Sequence, residues 1–302
     1  MRKSKLLAVA MSVMCAAALM TGCGSNGDAG SDAGSSSGGS ASQPISVVSR
    51  EDGSGTRGAF VELTGVEEKD ADGNKVDNTT SNAIISNSTE IMMTTVSGDE
   101  YAIGYSSTGS LNDTVKALNV DGVEPTAANI KDGKYSLSRP FNIATKGTPG
   151  KLAQDFIDYI MSKDGQKVVE DNGYIASVDN AKAFKTAGES GKLVVAGSSS
   201  VTPVMEKLAE AYKKVNTKAE IEIQESDSTT GMTAAADGTC DIGMASRELE
   251  DSEKDKGLTS QAIALDGIAV IVNTQNDRTD ISTDMAKKIF TGEVTDWNDV
   301  TE

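Results

Sequence analysis

Three segments of this chain repeat one local pattern: a short β-prone run, then a loop rich in Ser, Thr and Gly, then a helical pattern. The three loops span residues 49–57, 197–202 and 225–231. Strand-like and helix-like segments alternate along the chain, which is typical of α/β folds and predicts largely parallel sheets. The repeated pattern therefore constrains the fold strongly and places several hydroxyl-bearing loops at helix N-termini.

Loops of this kind favour the binding of a small oxyanion. Free backbone N–H groups and the positive end of the helix dipole attract anions, and glycine lets the backbone approach closely. Arg50 lies just before the first loop and can add charge-assisted hydrogen bonds, while Asp52 can hold its guanidinium in place. Each loop alone is explained as a helix N-cap. Three such loops together with an arginine predict an anion site.

The composition restricts the class of function. The 302 residues, enough for two domains, include 45 Asp and Glu against 28 Lys and Arg, a formal charge of −17, and no histidine. So acidic a chain is not expected to bind nucleic acid. Without histidine there is no His-based triad and no His metal ligand, and we expect no metal and no cofactor. An anion must then be held at short range, by helix ends, hydroxyls and arginine.

The first 22 residues have the pattern of an export signal. Positive residues precede an apolar run from Leu6 to Met20 that is too short to span a membrane. The run ends in Thr-Gly-Cys, which resembles the bacterial lipobox and predicts that Cys23 is lipidated; an ordinary secretory signal with an incidental cysteine is the alternative. Residues 23–44 are rich in Gly and Ser and are predicted to be a flexible tether. Removal of the signal takes away three positive charges and changes the formal charge of the chain from −17 to −20.

Other segments are predicted to be scaffold. Runs at 101–105, 141–145 and 266–273 read as strands, and apolar spacing predicts one amphipathic helix between Lys151 and Val169. The chain has no histidine that could activate Cys240, and Cys240 adjoins an apolar run. Both features indicate a buried structural thiol and not a nucleophile.

The three loops, and the string Ile-Phe-Thr-Gly-Glu-Val-Thr-Asp-Trp at 289–297, resemble the PstS family, the phosphate-binding lipoproteins of bacterial ABC phosphate importers. The most specific element is Arg-x-Asp-Gly-Ser-Gly-Thr at 50–56, and the resemblance covers nearly everything after the tether. It implies an α/β fold, a two-lobed periplasmic-binding-protein-like clamp with the ligand cleft between the lobes. It also implies a non-catalytic, extracytoplasmic, lipid-anchored monomer that captures inorganic phosphate and delivers it to the ABC transporter permease subunits.

The resemblance also implies a set of phosphate ligands. Matched residue by residue, they are Arg50, Ser54, Gly55, Thr56, Ser199, Ser200 and Ser228. Arg247 falls where many relatives have an Asp that accepts the proton of hydrogen phosphate, so it suggests an additional positive ligand and weaker discrimination against sulfate. A surface arginine paired with Glu248 or Glu250 is the alternative.

The order of the halves departs from that of most relatives, because the segment with Arg50 comes first. This implies a circular permutation in which Phe141 and Ile268 begin the two crossings between lobes. One lobe would comprise residues 45–139 plus 268–302 and carry the Arg50 loop. The other would comprise residues 140–267 and carry the two Ser-rich loops.

Other functions remain open from sequence. The site could take another tetrahedral oxyanion, sulfate or arsenate, and the protein could act as a phosphate-sensing or adhesion surface lipoprotein. A phosphoester hydrolase would also use Ser and Gly loops at helix ends. After the tether, however, the chain has no G-x-S-x-G elbow, no obvious base and no P-loop lysine.

Overall fold

The computed structural model describes residues 41–301. The predicted signal peptide, Cys23 and the tether up to residue 40 lie outside the described residues. Ser42 and Gln43, which the sequence assigned to the end of the tether, are hydrogen-bonded through Ser42 Oγ and Gln43 N to the carboxylate of Asp296, at 2.6 and 3.0 Å. No helix within 41–301 is long and apolar enough to cross a bilayer.

Strands and helices alternate along the described chain. The strands are β1 Ser46–Arg50, β2 Glu67–Lys69, β3 Lys75–Asp77, β4 Ile84–Ser86, β5 Ala102–Ser107, β6 Val115–Ala117, β7 Asn119–Val120, β8 Ser138–Lys146, β9 Ile175–Ala176, β10 Gly191–Ser198, β11 Ala219–Ser226, β12 Ile242–Ala245, β13 Leu258–Asn273 and β14 Asp280–Ile281. The helices are α1 Gly55–Thr64, α2 Thr89–Ser97, α3 Ala127–Lys131, α4 Lys151–Ile160, α5 Lys163–Asp171, α6 Thr202–Val215, α7 Ser228–Asp237, α8 Asp251–Lys254 and α9 Thr283–Thr291, with 3-10 turns at Thr108–Ser110 and Trp297–Asp299.

The main sheet has the strand order β11-β10-β12-β8-β13-β5-β1-β4, and β6 and β9 also pair with β13. Its two ends are parallel, since β10 runs parallel to β11 and β12, and β1 runs parallel to β4 and β5. The middle is antiparallel, because β8 and β13 run in opposite directions beside each other. The prediction of a largely parallel sheet is therefore wrong for the centre, where two long strands join the parallel ends.

Strand β13 passes from one half of the molecule to the other. Residues 258–267 pair with β8, and residues 268–272 pair with β5. The buried apolar side chains fall into clusters on either side of this passage: one is drawn from residues 47–137 and 268–300 together with Ile175, and two are drawn from residues 141–264. The predicted fold class, an α/β two-lobed clamp, is confirmed. The predicted lobe boundaries stay a prediction that this clustering supports.

A buried ion pair lies at the passage between the halves. Arg139 Nη2 of β8 donates to Asp266 Oδ2 of β13 at 3.1 Å, and both side chains are almost fully buried. Asp266 also accepts hydrogen bonds from the hydroxyls of Ser107 and Thr108. Burial raises the pKa of Asp266, although the nearby Arg139 guanidinium acts in the opposite direction. The pair ties β8, β13 and the end of β5 together where the chain crosses.

Other scaffold predictions had mixed outcomes. The strand predictions for 141–145 and 266–273 are confirmed within β8 and β13, and Cys240 is a buried free thiol, as predicted. The prediction of a single amphipathic helix between Lys151 and Val169 is wrong, because this segment forms two helices. It is divided into α4 and α5, because Ser162 adopts an extended conformation and its side chain caps α5 by accepting from Gly165 N.

Candidate anion-binding site

Hydroxyl side chains from both halves of the chain converge around the guanidinium of Arg50. Each is at most 5% exposed, and Arg50 is 2% exposed. We call this set the hydroxyl cluster; it comprises Thr56, Thr89, Ser198, Ser199, Ser200, Ser228 and Ser246. The cluster brings the residues from all three sequence loops to one place.

Helix N-termini surround the cluster. Helix α1 begins at Gly55, α2 at Thr89 and α7 at Ser228, and α6 begins two residues after Ser200. Local sequence explains these starts, since Ser54 accepts a hydrogen bond from Arg57 N as the N-cap of α1, and Asp227 accepts one from Thr230 N as the N-cap of α7. Four helix dipoles thus have their positive ends at one point, which favours negative charge there.

Hydrogen bonds join the two lobes directly through the cluster. Thr56 Oγ1 and Ser200 Oγ are 2.8 Å apart, and Arg50 Nη2 donates to Ser199 Oγ at 3.1 Å. The backbone continues the contact, because Thr229 N donates to the carbonyl oxygen of Gly53 at 3.1 Å. The lobes are therefore closed over the cluster in this structure.

Arg50 is fixed by groups on its own lobe. Its Nε and Nη2 donate to the two carboxylate oxygens of Glu51 at 2.8 and 2.7 Å, and Nε also donates to the Ser86 carbonyl at 3.2 Å. The prediction that Asp52 holds Arg50 is wrong. Asp52 is at an exposed turn and its carboxylate accepts instead from Arg57 Nη1 at 2.7 Å. Glu51 orients the guanidinium while leaving Nη1 and part of Nη2 directed at the cluster.

Glycine at positions 53 and 55 is required by the closeness of the lobes. A Cβ on Gly55 would lie 2.4 Å from Ser228 Oγ and 2.9 Å from Ser246 Oγ. A Cβ on Gly53 would lie 2.3 Å from an oxygen of the Asp227 carboxylate. Gly55 therefore contributes to the site through its missing side chain, which lets the N-terminus of α1 reach the opposite lobe.

Arg247 points away from the hydroxyl cluster. Its Nη1 and Nη2 each donate to a carboxylate oxygen of Glu253 at 2.8 Å, and Nη2 lies 3.2 Å from Glu250. Nη2 also donates to Thr229 Oγ1 at 3.1 Å. The pairing with Glu250 agrees with the alternative reading, but Glu253 is the main partner and the Arg247 side chain, 12% exposed, is not at the surface. The neighbouring Ser246, and not Arg247, occupies the cluster.

Sequence reasoning missed Thr89, Ser198 and Ser246. Thr89 Oγ1 lies 3.2 and 3.0 Å from the hydroxyls of Ser199 and Ser200, and Ser246 N donates to Ser228 Oγ at 3.1 Å. A signal was present for Thr89, because residues 84–89 repeat the pattern of strand, Ser/Thr loop and helix start. Ser246 carried only its position directly after the buried strand β12.

The chemistry of the cluster is that of hydrogen-bond donation to an anion. Along residues 41–301, no carboxylate is hydrogen-bonded to any hydroxyl of the cluster, and Glu51 reaches the site only through Arg50. Hydroxyls, helix N-termini and one guanidinium can together surround the oxygens of a tetrahedral anion. In the same described part of the chain, no group of acidic or Cys side chains is arranged to hold a metal ion.

Comparison with known proteins identifies the family. The sequence profile of the PBP superfamily domain matches residues 28–164 and 183–302. The chain is 55% identical to phosphate-binding protein PstS 2 of Streptococcus agalactiae serotype V over 304 residues, covering 100% of both chains. It is 50% identical over 261 residues to phosphate-binding protein PstS 2 of Streptococcus pneumoniae serotype 4, covering 86% of this chain and 89% of that protein.

A solved structure agrees with these relatives. The crystal structure of a phosphate ABC transporter, phosphate-binding protein from Streptococcus pneumoniae is 49% identical in sequence and has a TM-score of 0.68. The match covers 85% of this chain and 100% of that chain. Together with the geometry of the hydroxyl cluster, these similarities show that the chain belongs to the PstS family of phosphate-binding proteins, within the periplasmic-binding-protein superfamily.

Proposed function

We propose that this protein captures inorganic phosphate outside the cytoplasm and delivers it to an ABC importer. The observation that carries the proposal is the hydroxyl cluster: seven buried hydroxyls and Arg50 meet at four helix N-termini, between two lobes. Such a site provides donors on every side of a tetrahedral anion. The relatives named phosphate-binding protein and phosphate ABC transporter support phosphate as the anion and an importer as the destination.

The site binds its ligand without chemistry. The cluster contains no group placed to act as a general base, since the carboxylate of Glu51 is occupied by Arg50 through two hydrogen bonds. The chain has no histidine that could replace it. We therefore propose a non-enzymatic role, which turnover of any phosphomonoester in a substrate panel would contradict.

Isothermal titration calorimetry with phosphate tests the proposal. Wild-type protein should show one site, and Arg50→Ala should weaken binding by about 10- to 100-fold, because a hydrogen bond from a charged donor contributes about 1.5–3 kcal/mol. Arg278→Ala is a matched control, since Arg278 Nη2 donates to the Trp297 carbonyl, outside the cluster. Absence of phosphate binding by the wild type would refute the proposal.

A second tetrahedral anion is a specific alternative. Hydrogen phosphate carries a proton, which a carboxylate acceptor can recognise, whereas sulfate carries none. In residues 41–301, however, no carboxylate is hydrogen-bonded to the hydroxyls of the cluster. We infer that discrimination between phosphate, arsenate and sulfate is modest. Competition titrations of the three anions on wild type and on Ser246→Asp test this inference. The variant should lose sulfate binding more than phosphate binding, and strict phosphate selectivity of the wild type would contradict it.

We further propose that the protein is a monomer attached to the membrane through a lipid on Cys23. The sequence pattern at residues 1–23 supports the lipid anchor, and the acidic charge of the chain argues against nucleic acid as a partner. Cys23→Ala should release the protein into the medium. A deletion strain separates delivery from phosphate sensing or adhesion, because only a delivery protein is required for phosphate uptake at low phosphate.

A further inference from the structure

Arg139 and Asp266 lie opposite each other at the point where both long strands pass between the lobes. They are register partners in the antiparallel pairing of β8 with β13. On each strand the pair stands between core residues of different apolar clusters. These flanking core residues are Leu137 and Ile268 in one cluster and Phe141 and Ala264 in the other. Rotation of one lobe against the other therefore bends the two strands at this pair.

The Arg139 guanidinium is paired incompletely. It forms one hydrogen bond with Asp266, from Nη2 to Oδ2 at 3.1 Å, whereas Arg50 and Arg247 each donate two hydrogen bonds to a single carboxylate. The Nε and Nη1 atoms of Arg139 are buried and have no hydrogen-bond partner within residues 41–301. Burial of N–H groups without a partner is unfavourable, because these groups lose the hydrogen bonds that they make with water.

The end of β5 holds the other oxygen of Asp266. Asp266 Oδ1 accepts from Ser107 Oγ at 2.8 Å and from Thr108 Oγ1 at 3.1 Å. Ser107 is the last residue of β5, and Thr108 begins the 3-10 turn that follows it. These two donors orient the carboxylate toward their own lobe and leave only Oδ2 for Arg139. The incomplete pairing of Arg139 therefore follows from the way the two lobes share Asp266.

Aromatic rings lie beside the Arg139 guanidinium. The Arg139 Cζ atom is 5.4 Å from the centre of the Phe141 ring, and the rings of Phe141 and Tyr174 are 5.5 Å apart. Tyr174 also packs on Gly109, beyond the end of β5, where an added Cβ would lie 2.3 Å from the ring. Because Tyr174 belongs to the same apolar cluster as Phe141, this contact joins the two lobes close to Arg139.

Opening of the lobes gives water access to Arg139. Arg139 lines a groove of about 650 Å³ whose other lining residues include α1 on one side and residues 247–251 on the other. These two sides meet at the hydroxyl cluster, where Thr56 Oγ1 and Ser246 Oγ are 3.4 Å apart. Separation of the lobes breaks this contact and widens the groove, so that the unpaired N–H groups become hydrated.

We propose that Arg139 is a positioning residue that favours the open arrangement of the lobes, so that phosphate is held less tightly and released more readily. This proposal rests on the proposed function. Closure buries Nε and Nη1 of Arg139 without partners, whereas opening hydrates them. An anion that binds the closed arrangement has its measured affinity reduced by the fraction of protein that is closed in its absence. Arg139 thus acts on phosphate through the lobes, since no hydrogen bond within the described chain joins it to the hydroxyl cluster.

A neutral double variant tests the proposal. Arg139→Gln with Asp266→Asn removes the two unpaired N–H groups together with both charges, so neither partner is left as a lone buried ion. The amide oxygen at position 266 can still accept from Ser107 and Thr108. Lys167→Gln with Asp171→Asn is the matched control, because it neutralises an exposed pair on α5. Calorimetry measures phosphate affinity, a chase of labelled phosphate measures its release rate, and small-angle X-ray scattering measures the radius of gyration with and without phosphate.

The double variant should bind phosphate about 10-fold more tightly than the wild type and release it more slowly, because closure no longer leaves two buried donors unpaired. Its radius of gyration without phosphate should shift toward the phosphate-bound value. The control variant should match the wild type in all three measurements. Unchanged or weaker phosphate binding by the folded double variant overturns the proposal, since a purely structural role of Arg139 predicts no gain in affinity.

Arg139→Gln alone is a second variant, which disturbs the passage between the lobes less. Asp266 keeps its hydrogen bonds from Ser107 and Thr108 in this variant, and the same changes in affinity and release rate are expected. Wild-type or lower affinity of this variant also overturns the proposal. Failure of the proposed function appears separately, as absence of phosphate binding by the wild type in calorimetry.

Discussion

Thr56 Oγ1 and Ser200 Oγ lie 2.8 Å apart although the two residues are 144 positions apart in the chain. Thr56 lies in the first turn of α1, and Ser200 lies in the loop before α6. Each is 1% exposed. The contact therefore joins the two lobes at the centre of the hydroxyl cluster, where each hydroxyl has a partner that an oxygen of the anion can replace.

Removal of the Thr56 hydroxyl should weaken phosphate binding. Thr56→Val keeps the shape of the side chain but loses a donor to a charged ligand, which costs about 1.5–3 kcal/mol, or about 10- to 100-fold in affinity. Thr64→Val is the control, because Thr64 is buried in the same helix and its hydroxyl donates to the Phe60 carbonyl. Calorimetry measures both, and wild-type affinity of Thr56→Val would show that Thr56 is not a ligand.

Gly55→Ala should impair closure of the lobes. The new Cβ would meet Ser228 Oγ at 2.4 Å, so the N-terminus of α1 could no longer approach the opposite lobe. We expect phosphate affinity to fall by at least about 10-fold, since binding then includes the cost of the steric conflict.

Gly58→Ala is the matched control for this change. Gly58 lies in the same helix, and a Cβ added there would lie 3.9 Å from its nearest neighbour, Arg247 Cδ. Alanine at position 58 should leave phosphate affinity unchanged and stabilise the fold by about 0.4–1 kcal/mol. Equal affinities of the Gly55 and Gly58 variants, measured by calorimetry, would contradict the role assigned to Gly55.

Loss of the buried carboxylate at the passage between the lobes should destabilise the protein. Asp266→Asn leaves Arg139 charged and buried without its ionic partner, and we expect the free energy of unfolding to fall by about 3–5 kcal/mol. Asp171→Asn is the control, because Asp171 forms an exposed pair with Lys167 that contributes at most about 1 kcal/mol. Urea titration measures the free energy of unfolding of both variants. Equal and small losses in the two would contradict the strong stabilisation assigned to the buried pair.

The reactivity of Cys240 should report burial through its pH dependence. Desolvation by burial raises the pKa of the Cys240 thiol from 9.0 to about 11. Because the folded thiol holds its proton more tightly than the unfolded one, its contribution to stability is complete below pH 9 and is lost as the pH rises through about 11.

At pH 8 the thiolate fraction, and with it the rate of reaction with a disulfide reagent, should be about 100-fold lower in the folded chain than in urea. The measurement uses the chain from residue 24 onward, in which Cys240 is the single cysteine. A Cys240→Ser protein carrying Thr217→Cys is the control, since position 217 is exposed and should react similarly in both states. Similar rates for Cys240 itself in both states would contradict the buried assignment.

The parts of the site that follow from local chemistry could be predicted from the sequence. Ser54 and Asp227 stand at helix starts because hydroxyl and carboxylate side chains satisfy the free N–H groups of a first turn, and this requirement is visible within a few residues. Arg50 is the last residue of β1, directly before the first loop, so its closeness to the loop is also visible in the sequence. The string at 50–56 also carried the family resemblance, which the comparisons confirm.

The pairing of charged side chains could not be predicted in the same way. Asp52, Glu51 and Arg57 are all within reach of one another in sequence, but the turn at Asp52 directs its carboxylate to Arg57, which leaves Glu51 to orient Arg50. Likewise, Glu248 and Glu250 follow Arg247 closely in sequence, but the start of α8 brings Glu253 to it. Side-chain direction depends on backbone conformation, which residue order does not specify at this scale.

The sequence by itself determined that hydroxyl-rich loops open several helices, that an arginine precedes one of them, and that no histidine is available for chemistry. Tertiary structure decided which of these groups meet. Thr89 and Ser246 belong to the cluster because β8 and β13 bring two lobes together across separations of more than 100 residues. Arg247 lies outside the cluster because the start of α8 brings Glu253 to it. Helix capping is a local interaction, whereas closure of an anion site between lobes depends on contacts that only the folded chain brings together.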